Sequence, residues 1–101
     1  MKDMALNILI VDDEPLARVR LKTLLADCTQ PTVQRIAEAA NATEALQALT
    51  GGGVDVVLLD IHMPGADGLS LAQALRALPA PPAVVFVTAH AEHALRAFEL
   101  E

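Results

Sequence analysis

Leu6-Asn7-Ile8-Leu9-Ile10-Val11-Asp12-Asp13-Glu14-Pro15 is the stretch that decides the fold. Its first part is short, apolar and rich in β-branched residues, and reads as a buried strand. The run stops abruptly in consecutive acids and then Pro15, a residue suited to the first turn of a helix. Ala17, Leu21, Leu24, Leu25 and Cys28 follow at helical spacing and share one apolar side, and Pro31 closes the helix. Burial on that side is the expectation for Cys28.

The same alternation repeats along the chain. Val33 to Ala37 reads as a second strand. Asn41 with Glu44 three residues later has the pattern of a capping box, and Ala42, Ala45, Leu46 and Leu49 supply an apolar helix face. Gly51 to Gly53 stop that helix. Val54-Asp55-Val56-Val57-Leu58-Leu59 is nearly continuous in apolar character, as expected of a strand buried on both faces, and it ends at Asp60. A helix is expected from about Asp67 to Leu78, with Leu71, Leu75 and Leu78 on one face. A fourth strand is expected from Ala83 to Val87, ending at Thr88, and a last helix from near His90. The order βαβαβαβα means a parallel sheet with right-handed crossovers and helices on both faces.

Composition narrows the function. The 101 residues suffice for one domain, and 53% of them are hydrophobic, which excludes a disordered chain. Seven basic residues against 13 acidic give a net charge of −6, and no basic stripe exists to meet nucleic-acid phosphates. The apolar runs are too short to cross a membrane. The single cysteine fits a reducing compartment, so the expectation is a cytoplasmic protein without membrane partners.

In an open α/β sheet, ligands bind outside the carboxyl ends of the strands. Asp12, Asp13, Asp60 and Thr88 all fall at that rim. Taken alone, the acids before Pro15 also read as a solvated helix N-terminus, and Thr88 as a strand terminator. Together they read as a site, because converging carboxylates repel one another and either take up protons or hold a cation. An all-oxygen ligand set suits Mg²⁺, and the lack of a His or Cys cluster argues against zinc. His90 and His93 stand i, i+3 on the last expected helix and read better as exposed helix residues than as ligands.

Three stretches carry a family resemblance: Ile8-Leu9-Ile10-Val11-Asp12-Asp13-Glu14-Pro15, Val57-Leu58-Leu59-Asp60-Ile61-His62-Met63-Pro64-Gly65-Ala66-Asp67-Gly68, and Val87-Thr88-Ala89. The chain resembles the receiver domain of bacterial two-component response regulators. Asp13-Glu14-Pro15-Leu16-Ala17-Arg18 and the run from Thr88 to Glu99 resemble receivers joined to LytTR-type DNA-binding domains. The resemblance implies a flavodoxin-like three-layer sandwich with sheet order 2-1-3-4. It implies Asp60 as phosphoacceptor, with Mg²⁺ bound by Asp13 directly, by Asp12 through water, by Asp60, and by the backbone carbonyl of His62. Thr88 would contact the phosphoryl group and report its arrival, and Ala89 would leave room for that group. The implied donor is a sensor histidine kinase or a small acyl phosphate. DNA would be contacted through an output domain outside this chain. Such a domain is a phosphoacceptor and switch and not a turnover enzyme.

The resemblance also implies a fifth strand, a Lys-Pro loop and a fifth helix after Glu101. The expectation is therefore a receiver domain over residues 1–101 that is incomplete at its C-terminus and lacks the family's site lysine. Its fourth strand would be a free edge and the face of Val56, Leu58, Val85 and Val87 would be partly bare, so self-association is expected. Two other readings compete. A phosphotransferase of the haloacid-dehalogenase type would need an acid where His62 stands. A degenerate receiver would serve only as a protein-interaction module.

Overall fold

Seven elements make up the described residues, 5–27, 32–61 and 68–87, of the computed structural model. They are β1 (Ala5–Val11), α1 (Pro15–Ala26), β2 (Thr32–Ala39), α2 (Ala42–Thr50), β3 (Val56–Leu59), α3 (Gly68–Arg76) and β4 (Ala83–Phe86). All strand pairs are parallel, in the order β2-β1-β3-β4. Among the described helices, none is long and apolar enough to cross a membrane. The expected helix after His90, Cys28, His62 and Thr88 lie outside the described residues.

One face of the sheet carries the core. Leu9 and Val11 of β1, Val57 and Leu59 of β3 and Ala39 of β2 pack against Ala45 of α2 and against Leu71 and Leu75 of α3, all of them buried. Alternation along a strand sends the neighbouring residues to the opposite face. There Ile8 and Ile10 are buried, but Val56 and Leu58 are half-buried and Val85 is 48% exposed. This corrects the expectation that β3 is buried on both faces. The cause is coverage: α1 lies over β1 and β2, and no other described helix covers β3 and β4 on that side. A second correction follows from the same geometry. No α1 residue is fully buried, and Leu24, assigned by its spacing to the packing side, is 64% exposed.

Local signals explain the element ends. Pro15 opens α1. The Asn41 side chain accepts the Glu44 N–H at 2.8 Å, as the capping-box pattern predicts. In the reciprocal bond Glu44 Oε1 accepts the N–H of Ala40, one residue before the cap. Gly52 and Gly53 take φ values of 73° and 82°, which a side chain would disfavour, and so turn the chain into β3.

At the end of the sheet away from the acids, Asn7 locks β3 to β1. Its N–H donates to Asp55 Oδ2 and its side-chain amide to the Gly53 carbonyl, each at 2.8 Å, and Asp55 N–H returns to the Asn7 carbonyl at 2.8 Å. The resulting register pairs Ile8 with Val56 and Val11 with Leu59. Asp12 and Asp60 thereby emerge side by side.

Candidate functional site

Strand register assembles the site. Asp12 continues β1, and its N–H donates to the Ala39 carbonyl at 3.0 Å. Asp60 continues β3, and its N–H donates to the Val11 carbonyl at 3.0 Å. Both acids are therefore held by sheet hydrogen bonds. Asp12 is 7% exposed, and its Oδ1 accepts the Glu14 N–H at 2.9 Å, an Asx turn that orients the carboxylate as the chain leaves the strand. Asp13 and Asp60 are half-buried.

The structure brings together three of the acids singled out from the sequence. Asp12, Asp13 and Asp60 each offer a carboxylate oxygen, and these oxygens lie within 4.8 Å of one another. Coulomb repulsion among three such charges is costly at this spacing and burial, and a small, hard divalent cation relieves it. The donor set is entirely oxygen, so the residues present fit Mg²⁺ better than a metal that favours nitrogen or sulfur.

Two features of the site were not apparent from the sequence. The first is Arg18, in the first turns of α1. Its Nη1 donates to the Asp12 carbonyl at 2.6 Å and its Nε to Glu38 Oε1 at 3.0 Å. Lys22, one turn later, donates to Glu38 Oε2 at 2.9 Å. The Lys22 hydrogen bond is the main cause that holds the Glu38 carboxyl below its ordinary value of 4.5; desolvation opposes it, and the Arg18 hydrogen bond and the two positive charges add to the lowering. A sequence signal existed only as an i, i+4 pair of bases, Arg18 and Lys22, whose partner on β2 no local pattern identifies.

The second is Gly68, where α3 begins. Its N–H donates to the Ile61 carbonyl at 2.9 Å. A Cβ there would stand 2.6 Å from Ile61 Cα and would overlap the Asp60 carbonyl oxygen. The glycine lets α3 start directly against the backbone that carries Asp60.

Comparison with known proteins agrees with this arrangement. Residues 8–101 match the response regulator receiver domain family. The chain is 52% identical over 97 residues to a positive alginate biosynthesis regulatory protein of Pseudomonas aeruginosa, covering 94% of this chain and 38% of that protein. It is 40% identical over 95 residues to the sensory transduction protein LytT of Enterococcus faecalis, again covering 94% of this chain and 38% of the relative. Among solved structures it is similar to the response regulator TrrA of Thermotoga maritima in complex with Mg²⁺-BeF. That match has a TM-score of 0.75 and 36% identity, and covers 87% of this chain and 73% of the other. The chain thus spans little more than a third of the length of these curated relatives. With the sheet order, the acidic rim and the match over residues 8–101 in agreement, the chain belongs to the receiver domain family of two-component response regulators.

Proposed function

We infer that this chain is a phosphoacceptor switch that takes a phosphoryl group on Asp60 at a Mg²⁺ site formed with Asp12 and Asp13. The observation that carries the reading is the meeting of three carboxylates from the ends of β1 and β3 within 4.8 Å. The complex of TrrA with Mg²⁺-BeF lends support, since that similar chain was obtained with a magnesium ion and a beryllium fluoride.

Phosphoryl transfer to a carboxylate depends on charge neutralisation and in-line placement more than on a strong base. Mg²⁺ would supply the positive charge that screens the carboxylates from one another and from incoming phosphoryl oxygens. Asp13 and Asp60 are the direct ligands in this reading, and Asp12 acts through water. An Asp60 carboxylate oxygen attacks phosphorus, the bond from phosphorus to the donor nitrogen or oxygen breaks, and the donor's imidazole or carboxylate leaves with the electron pair. The product is an aspartyl phosphate. By the family resemblance, the His62 carbonyl and Thr88 would complete the site; both lie outside the described residues.

Removal of one ligand tests the metal. The parent chain is expected to bind Mg²⁺ in calorimetric titration, and Asp13→Asn to bind it much more weakly. Equal affinity in the two would overturn the assignment.

A sensor histidine kinase is the proposed donor and the cytoplasm the proposed compartment. The net charge of −6 disfavours DNA binding by residues 1–101 and supports the reading that any DNA contact belongs to an output domain of the kind the LytTR resemblance implies. For the chain 1–101 itself, β4 at the edge of the described sheet and Val85 at 48% exposure support pairing with a second copy. Sedimentation is expected to give species above the monomer at high concentration. A cooperatively melting monomer at every concentration would overturn this.

A further inference from the structure

We propose that Arg18 is a positioning residue for the Asp12–Asp13 end of the carboxylate cluster, and that Glu38 keeps its charge from pairing with the cluster itself. The proposal rests on the reading of that cluster as a divalent-cation site.

Helix side chains lean back toward the N-terminus, and from α1 this carries the Arg18 guanidinium over the β1–α1 junction. It arrives at the backbone of Asp12, one of the three acids of the cluster. Among the described residues, however, its ion pair is with Glu38 and not with Asp12, Asp13 or Asp60. Glu38 sits on β2 opposite Ile10, on the same face of the sheet as α1. It is braced from the other side by Lys22, so both of its oxygens are engaged. The Arg18 side chain is 17% exposed, against 40% for Lys22. Fixed in this way, the guanidinium has a donor left for the Asp12 carbonyl at 2.6 Å.

That carbonyl belongs to the planar peptide group whose N–H is that of Asp13. Holding its oxygen fixes the plane from which Asp13 projects. The acid itself has left the sheet and is half-exposed. The planar fork of an arginine can span the carbonyl and Glu38 together, whereas the point charge of a lysine cannot. Arg18 therefore ties three separate pieces of chain together: the start of α1, the rim of β1 and the end of β2.

The two effects of this arginine on a bound cation have opposite signs. As a positive charge near the site it opposes Mg²⁺, so its removal would tighten binding. As the tether of the Asp12–Asp13 peptide it favours Mg²⁺, so its removal would weaken binding. The proposal is that the tether dominates.

Titration of MgCl₂ into the parent chain and into Arg18→Gln, Arg18→Lys and Lys22→Gln separates them. Both Arg18 variants are expected to lose about tenfold in Mg²⁺ affinity, the scale on which partners that orient metal ligands act. Lys22→Gln removes a charge from the same ion pair without touching Asp12, and is expected to bind as the parent does. Arg18→Gln binding as tightly as the parent, or more tightly, overturns the proposal. A second measurement needs no metal. Amide exchange at Glu14, whose N–H is bonded to Asp12 Oδ1, is expected to speed up in Arg18→Gln while the amides of β1 keep their protection. Unchanged exchange at Glu14 overturns the tether. Should the parent show no Mg²⁺ binding, the cation reading fails and the exchange result alone decides what Arg18 does.

Discussion

Asp60→Asn is expected to take up no phosphate from acetyl phosphate, whereas the parent chain is labelled at Asp60 and nowhere else. Asp60 ends β3, its backbone is fixed to Val11, and its carboxylate faces those of Asp12 and Asp13. Among the acids of the cluster it is the one that β3 delivers to the rim. A carboxamide is no nucleophile, so the loss is complete rather than graded. Labelling of the parent is expected to require Mg²⁺ and to be slow. The chain's lysines are Lys2 and Lys22, and Lys22 is engaged with Glu38, so no lysine among the described residues is placed to meet the charge that develops on the phosphoryl oxygens. Intact-mass measurement followed by peptide mapping checks both statements. A base-labile phosphate at another residue of Asp60→Asn would sink the assignment.

Gly68→Ala is expected to destabilise the chain and to weaken Mg²⁺ binding at once. By helix propensity alone the substitution should stabilise α3, by about 1 kcal/mol at most. The contacts reverse the sign. The added methyl would stand 2.6 Å from Ile61 Cα and would overlap the Asp60 carbonyl. Both neighbours are backbone, so no rotamer change relieves the clash, and either α3 or the Asp60 peptide must move. Overpacking of this kind costs about 1–3 kcal/mol. For a domain of this size, each kcal/mol lowers Tm by about 4–8 °C. Thermal melting by circular dichroism reads the stability, and calorimetric titration reads the site. An alanine variant that melts at or above the parent temperature would show that the close approach is not what places Asp60.

Both predictions rest on the same contrast between what is local and what is not. The strand from Leu6 to Val11, the Asn41–Glu44 cap and the glycine turn before β3 were legible because each is written within a few adjacent residues, whereas the sheet order came from the family resemblance. The acids at Asp12, Asp13 and Asp60 were legible because each ends an apolar run, and parallel strands bring their carboxyl ends to one rim. Burial was less legible. Helical spacing grouped Leu24 with the packing residues of α1, but spacing shows only that residues share a side and not whether anything covers it. The continuous apolar character of β3 likewise carries no information about which of its faces meets a helix.

The sequence by itself determined the class of fold, the succession of its elements and the acids that reach the rim, since hydrophobic periodicity and chain stops are properties of neighbouring residues. Only the tertiary structure decided that α1 buries none of its residues fully, that Arg18 turns to the Asp12 carbonyl and Glu38, and that Gly68 must lack a side chain against Asp60. These are contacts between residues distant along the chain, and they exist only once the strands have paired and the helices have settled on the sheet.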